Sequence, residues 1–137
     1  MAIDPSFPNV MRSEVLSFIQ ASGTTINDFI TPGSAGTIIT AFHCNNQSAL
    51  DLSLQVIKKV SGVDYFYCQV TVPANSGYDG LTPMFDILND SVMDALTKDI
   101  NGRRELFVGI GQILRLKLPL ALVSPAVVNV FADGGNL

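Results

Sequence analysis

Residues 50–72 read LDLSLQVIKKVSGVDYFYCQVTV, and two parts of this stretch alternate between apolar and polar side chains. Alternation with a period of two places every second side chain on the same face of a β-strand. Between the two runs, residues 60–64 (VSGVD) supply the turn that brings the chain back. The stretch therefore predicts two antiparallel strands that each contribute one apolar face to a shared core. The apolar positions are Leu50, Leu52, Leu54, Val56, Phe66, Cys68, Val70 and Val72.

Further β-rich stretches lie on both sides of this pair, separated by turns rich in Gly, Pro, Asn or Ser. They are residues 25–30, 37–44, 105–108, 112–118 and 126–132. Residues 12–20 suit a short helix as well as a strand, and residues 133–137 read as a terminal loop. An α/β fold would need helices between successive strands. Seven to eight short strands with turns between them instead predict an all-β fold, an antiparallel β-sandwich.

One segment in the middle of the chain has a helical period. In residues 81–98 (LTPMFDILNDSVMDALTK), Thr82 is a candidate N-cap and Pro83 occupies the first helical position. Apolar side chains then recur every three or four residues, which predicts one helix inserted into the sandwich. These side chains are Phe85, Leu88, Val92 and Leu96. The predicted organisation is an N-terminal region, residues 1–22, with an extended arm at 1–11 and a short element, followed by one sandwich domain, residues 23–137.

The composition limits the classes of partner. Hydrophobic residues make up 47% of the 137 residues and charged residues 15%, whereas soluble proteins average about 25% charged residues. A disordered chain is excluded, since it needs low hydrophobicity and high charge. The net charge of -4 would repel phosphate, so no nucleic-acid partner is expected. Surplus apolar surface predicts protein–protein contacts and a homo-oligomer or assembly component, while a compact monomer with a Ser, Thr, Asn and Gln surface is the alternative.

Neither a membrane span nor export is predicted. The most apolar stretch, residues 113–131, is interrupted by charged residues and prolines, whereas a spanning helix needs about 20 consecutive apolar residues. Residues 1–15 carry an acid and two prolines where a secretory signal has a basic start and an apolar run. We therefore expect a protein that is made and kept in a cytoplasm. Its two cysteines are too few for a disulfide scaffold.

The sequence predicts no catalytic residue. His43 is the sole histidine, and its neighbour Cys44 would point to the opposite face of a strand. Cys68 could meet His43 only across strands, so both cysteines are interpreted as small buried hydrophobic residues. One histidine and two cysteines are also one ligand short of a tetrahedral zinc site. We therefore expect neither an enzyme nor a bound cofactor.

Other polar clusters have structural interpretations. Asp86, Asp90 and Asp94 would line up along the predicted helix and not converge on a cation, which indicates a solvated face or one that meets a basic neighbour. No metal site is therefore predicted. The Gly109–Gly111 segment lacks the helix that phosphate binding needs and reads as a bend. Arg103 and Arg104 are either surface charge or partners for acids of another subunit.

Residues 29–74, FITPGSAGTIITAFHCNNQSALDLSLQVIKKVSGVDYFYCQVTVPA, resemble the small β-sandwich virion proteins of tailed bacteriophages. In that pattern a strand ends in C/V-N-N/T, here Cys44 to Asn46, and a later strand ends in V/I-P-A, here Val72 to Ala74. The GQILRLK segment, residues 111–117, is similar to the strand that follows. The family usually has a short connection where this chain has residues 76–103, and residues 1–22 have no counterpart in it.

The resemblance implies a structural virion protein, located in the virion and made in the cytoplasm of a bacterial host. It implies contacts with the major capsid protein or with neck and tail proteins. The first hypothesis is a capsid decoration or cement subunit that stabilises the head shell. The alternative is a neck, tail or baseplate accessory protein. A further alternative is a carbohydrate- or receptor-binding sandwich in which Tyr65, Tyr67 and Tyr78 form a stacking platform.

Overall fold

A computed structural model describes residues 10–137 of the chain. It contains nine strands and two single-turn 3₁₀ helices, at Gln20–Ser22 and Ser91–Met93, within these residues. The strands are β1 Val10–Phe18, β2 Asn27–Ile30, β3 Thr37–Asn46, β4 Leu52–Val60, β5 Val63–Val72, β6 Phe85–Asp86, β7 Leu106–Val108, β8 Gln112–Lys117 and β9 Val128–Asn136. The mainly β architecture with two antiparallel sheets confirms the predicted sandwich class.

The two sheets have the strand orders β1-β9-β3-β6 and β2-β8-β4-β5, and β7 also pairs with β3. The short strands β6 and β7 contact different parts of β3, at His43–Cys44 and at Thr37–Ile39. If they are counted as one interrupted strand, the chain has eight strands in which the first pairs with the last, the second with the seventh, the third with the sixth and the fourth with the fifth. This nested order is that of a jelly roll, a long hairpin rolled into two facing sheets.

The core lies between the sheets and is built by alternate residues of the long strands. Phe42 and Phe29, from different sheets, stack with ring centroids 5.9 Å apart. The alternation in β4 and β5 is confirmed for most positions. Leu54, Val56, Cys68, Val70 and Val72 are all buried, as the sequence predicts.

Two residues of the predicted core rows lie outside the core. Leu50 precedes β4 and is 70% exposed, and Phe66 is 63% exposed. The cause at Phe66 is a β-bulge, since Val56 pairs with Cys68 but Ile57 already pairs with Phe66. Tyr67 is therefore an extra residue in β5. One extra residue inverts the facing of every side chain before it, so Phe66 points to the outer face of the sheet.

The predicted helix at residues 81–98 is wrong. The segment holds only β6 and one 3₁₀ turn, and the Arg104 side chain takes up two backbone carbonyls that a helix would use. Asp79 Oδ1 accepts hydrogen bonds from the amides of Leu81 and Thr82, at 2.9 and 2.7 Å. Arg104 Nη1 donates to the carbonyls of Leu88 and Asp90, at 3.1 and 2.7 Å. The segment is thus an irregular excursion fixed by local hydrogen bonds.

The ends of the chain also differ from expectation. Residues 1–9 of the predicted arm lie outside the described residues, while Val10 and Met11 begin β1. Residues 133–136, predicted as a loop, are the second half of β9. Gly134 permits this, since a Cβ atom there would lie 1.9 Å from the carbonyl oxygen of Ile38. The close approach of β9 to β3 therefore requires glycine.

Candidate interaction surfaces

The histidine and the two cysteines do not form a nucleophilic site. His43 is partly exposed and its Nε2 lies 4.0 Å from Asp86 Oδ2, whereas the adjacent Cys44 is fully buried. Burial raises the pKa of Cys44 to about 12. Burial, and then the negative charge of Asp90, raise the pKa of Cys68 to about 11. Both thiols are therefore protonated near neutral pH, and a protonated thiol is a poor nucleophile.

The three aspartates that the predicted helix would have aligned, Asp86, Asp90 and Asp94, are separated by the irregular backbone. Asp86 Oδ2 accepts a hydrogen bond from the Asn89 side-chain amide. Asp90 caps the 3₁₀ turn by accepting from the amide of Val92. Asp94 forms an ion pair with Arg104. Within residues 10–137 no group of three or more His, Cys, Asp or Glu side chains converges as metal ligands would.

The two adjacent arginines have different environments. The Arg104 side chain is 14% exposed and is held by Asp94 and by two backbone carbonyls, so it fixes the excursion. Arg103 is exposed. Gly109 accepts a hydrogen bond from the amide of Gln112 and forms the expected bend before β8.

The three tyrosines do not form one stacking platform. Tyr65 and Tyr67 lie in the first half of β5, while Tyr78 lies in the loop that follows the other end of that strand. Seven residues separate Tyr65 from the last residue of β5, which corresponds to about 24 Å at about 3.4 Å per residue. Only Tyr65 and Tyr67 share a surface.

The tip of the β4–β5 hairpin, here called the aromatic hairpin, has Val63, Tyr65 and Tyr67 on the side of the other sheet and Phe66 on the outer face. All four side chains are exposed, because the first half of β5 extends past the core. Ser61 and Gly62 both have positive φ, 51° and 81°, as in the type I′ turn that joins two strands tightly. β5 is an edge strand of its sheet, and it contains neither Lys nor Pro, two residues that commonly protect edges.

Lys58 holds the aromatic hairpin against the opposite sheet. Its Nζ donates a hydrogen bond to the carbonyl oxygen of Phe107 at 3.1 Å and lies 5.1 Å from the centroid of the Tyr67 ring. Burial lowers the pKa of Lys58. Beside it is an open cleft of about 360 Å³, lined in part by Leu96 and Phe107. The ammonium group of Lys58 thus links β4 in one sheet to β7 in the other.

Ion pairs fix the outer face of the hairpin. Arg115 Nη1 donates to both carboxylate oxygens of Asp64, at 3.0 and 2.9 Å. Arg115 Nε lies 2.7 Å from Asp28 Oδ1 without a hydrogen bond along the N–H direction, so this contact is ionic. With Asp64 paired, the exposed side chains of the hairpin are apolar or aromatic.

A second open edge is β1, on the other sheet. Its outward-facing side chains include the exposed Met11 and Val15, and Arg12 and Glu14 lie between them on the opposite face. Arg12 Nη1 donates to the carbonyl of Thr31 at 2.7 Å and to Asn136 Oδ1 at 3.2 Å. Arg12 Nη2 also lies 2.7 Å from Glu14 Oε1.

Sequence reasoning placed Tyr65 and Tyr67 on a surface but missed the exposure of Phe66 and the β1 edge. The bulge at Tyr67 has no signal in a period-two pattern. In β1 only Leu16 and Phe18 reach the core while Met11 and Val15 face outward, so its alternation gives only a short core row. Among the described residues, no helix is long and apolar enough to cross a membrane. No protein-family model, no curated protein and no solved structure matches the chain.

Proposed function

We propose that this protein is a structural subunit of a bacteriophage virion, a capsid decoration or cement protein that binds and stabilises the head shell. The phage assignment is supported by the resemblance of residues 29–74 to small virion sandwiches. The jelly-roll strand order is compatible with it, since that fold is common in viral capsid proteins and also in lectins and cupins. A fold alone does not assign a function, so surface features must support the role.

The aromatic hairpin is the observation that carries the proposal. Four apolar or aromatic side chains are exposed close together along β5, an edge strand that contains neither Lys nor Pro. Exposed apolar patches of this kind mark contacts with other proteins, and Tyr is among the residues that dominate binding energy at interfaces. Full burial of one such side chain contributes about 1.5–3 kcal/mol. The proposed function is therefore adhesive.

The hairpin contact is tested by binding to particles that lack the protein. Purified wild-type protein and the Phe66→Ser variant are added to such particles, and bound copies are counted after sedimentation. Phe66→Ser should weaken binding about tenfold or more, since about 1.4 kcal/mol corresponds to tenfold. Leu81→Ser is the matched control, because Leu81 is 89% exposed and lies outside the hairpin. Equal binding of Phe66→Ser and wild type, at equal thermal stability, would contradict the hairpin contact.

Copy number separates the head from the alternative locations. Hundreds of copies per purified particle support decoration of the head, whereas six or twelve copies support the neck, tail or baseplate. Quantitative gel densitometry of virions of the phage that encodes the chain gives this number. Absence of the chain from those virions would overturn the virion proposal as a whole.

The predicted arm is tested separately. Deletion of residues 2–9 leaves β1 intact, because that strand begins at Val10. If the arm lies across an adjacent shell protein, the deletion weakens particle binding without lowering the melting temperature. Unchanged binding would remove the arm from the cementing contact and leave the hairpin contact in place.

The carbohydrate alternative now depends on two tyrosines. Tyr65 and Tyr67 are exposed on the hairpin, and aromatic rings can stack on sugar faces as well as on protein. Binding of the isolated protein to a glycan array, lost in Tyr65→Ser, would favour this alternative over decoration.

A further inference from the structure

Among the residues that the structure describes, one side of the edge strand β1 is unpaired along its whole length. All nine residues pair in register with β9 on one side, and within residues 10–137 no strand pairs with its other side. The strand contains no Lys and no Pro. An open edge of this length is a template for pairing with another chain.

The β1 sequence is complementary to itself when reversed. Residues 10–16 read VMRSEVL, with Ser13 at the centre. In an antiparallel pair centred on Ser13, Arg12 of each copy lies opposite Glu14 of the other copy. Met11 lies opposite Val15 in the same way, and the outermost residues of the stretch, both apolar, lie opposite one another. The arrangement forms two ion pairs and four apolar pairs related by a twofold axis.

The facing of the side chains agrees with this register. Arg12 and Glu14 pair with Gly134 and Ala132, both buried on the inner face of the sheet. Met11 and Val15 lie on the outer face and are exposed. The pairs of Arg12 with Glu14 would therefore meet on the inner face of the joined sheets and the pairs of Met11 with Val15 on the outer face. Opposite charges across a strand pair contribute roughly 0.2–1 kcal/mol each.

The two charged side chains are already held in place. Arg12 is 20% exposed and Glu14 is 37% exposed at their side chains, so both can be reached from the open edge. Hydrogen bonds from Arg12 to Thr31 and Asn136 fix the guanidinium before any partner arrives. Fixing a contact group in advance lowers the entropy cost of association.

Inward-facing charges on an edge strand normally prevent pairing. Arg12 and Glu14 already form an ion pair within the chain, and a second β1 adds the opposite charge across from each of them, which a strand of another sequence would not. The same residues thus favour a second copy over other strands. β5 lacks this property, because a pair centred on Asp64 places two carboxylates opposite each other and its bulge at Tyr67 interrupts the edge.

We propose that two copies of this chain associate through antiparallel pairing of β1, which joins their two sheets into one continuous sheet across a twofold axis. The inference rests on the proposed assembly role, in which subunits meet through open sheet edges, and it assigns the contact of the chain with itself. The aromatic hairpin, on the other sheet, stays available for the shell.

Cysteine cross-linking tests the register. Paired residues in antiparallel strands have Cα atoms about 4.5–5.5 Å apart, within the range of a disulfide. The Ser13→Cys variant should therefore form a disulfide-linked dimer on mild oxidation with diamide. Ser17→Cys is the matched control, since Ser17 shares the face of Ser13 and, like it, hydrogen-bonds to β9. In the proposed dimer two Ser17 residues are about 27 Å apart, so that variant should remain monomeric on a non-reducing gel.

A failure of Ser13→Cys to cross-link above wild type would overturn the proposal, and so would equal cross-linking of both variants. The Glu14→Arg variant provides an independent measurement, because at both symmetry-related positions of the dimer it places an arginine opposite Arg12 of the other copy. Its dimer dissociation constant in analytical ultracentrifugation should rise at least tenfold, whereas Glu105→Arg, away from β1, should leave it unchanged. An unchanged constant in Glu14→Arg would also overturn the proposal.

The two proposals can fail separately. Unchanged particle binding of Phe66→Ser, together with disulfide cross-linking of Ser13→Cys, overturns the hairpin contact and leaves the β1 dimer. Intact particle binding by a Ser13→Cys protein that does not cross-link overturns the β1 dimer and leaves the shell contact.

Discussion

Replacement of Gly134 by Ala should break the contact between β3 and β9. The added Cβ would lie 1.9 Å from the carbonyl oxygen of Ile38 and 3.0 Å from Cα of Ile39. Both contacts are backbone atoms, so no side-chain rotation relieves them, and the strands must separate by more than 1 Å by comparison with ordinary contact distances of about 3.5 Å. The overlap occurs beside the register shift between Ile39 and Ala41.

The cost follows from what the separation removes. The ladder bonds at the pairs Ile38–Gly135 and Ile39–Gly134 would lengthen or break, and each hydrogen bond contributes about 0.5–1.5 kcal/mol. Loosened packing of a core strand adds about 1–3 kcal/mol. The expected loss is therefore about 3 kcal/mol in the free energy of unfolding, which corresponds to roughly 10 °C in melting temperature for a chain of this size.

Urea denaturation followed by circular dichroism measures this loss. Gly62→Ala is the control, since Gly62 has φ of 81° and nothing within 4 Å of a new Cβ. The Gly62→Ala variant should lose only the cost of a left-handed backbone, about 1–2 kcal/mol in the free energy of unfolding. About 0.5 kcal/mol is the smallest contribution of a single hydrogen bond. If the free energy of unfolding of Gly134→Ala differed from that of wild type by less than this amount, the close approach of β3 to β9 would be refuted.

Three further predictions concern the hairpin and the thiols. Ser61→Asn should raise the unfolding free energy by about 0.5 kcal/mol, because Asn tolerates the positive φ of a type I′ turn better than Ser; a melting temperature below wild type would contradict this. Lys58 has a lowered pKa in the folded state, so the unfolded state binds its proton more tightly. The stability of wild type relative to Lys58→Met should therefore rise as pH increases toward 10.5, as measured by urea titrations at several pH values; a fall would refute the burial of the ammonium group. Cys44 and Cys68 should react with a disulfide reagent at pH 8 far more slowly in the folded protein than in urea, because burial raises both pKa values; equal rates would show that the thiols are accessible.

The sandwich class and much of its core follow from local alternation. Leu54 and Val56 in β4, and Val70 and Val72 in β5, are buried where the period of two places them. Each of these residues sits on a strand whose facing is set within a few neighbours. Local patterning is therefore sufficient where a strand is regular.

The exposure of Phe66 on the aromatic hairpin could not be predicted from local alternation. A single extra residue, Tyr67, reverses the facing of Phe66, and nothing in the letters YFYC marks where the ladder is interrupted. The same limit applies to the first half of β1, where Arg12 and Glu14 lie on the inner face and Met11 and Val15 on the outer face. The facing there depends on partners more than 100 residues away in sequence.

The helix prediction failed for a related reason. Residues 81–98 have a helical period, but Arg104 from beyond the segment takes two of its carbonyls. Met93 turns into the core while Val92 is exposed. A tertiary hydrogen bond of this kind overrides local propensity, which differs by less than about 1 kcal/mol between ordinary residues.

The rolled hairpin brings Val10 and Asn136 opposite each other in neighbouring strands. Their Cα atoms are thus about 5 Å apart, close enough for a few glycines to join them once residues 1–9 are removed. A circularly permuted chain opened at another surface loop would keep every strand pairing of the two sheets. Added peptides could then be displayed from whichever end of the sandwich is not needed for attachment.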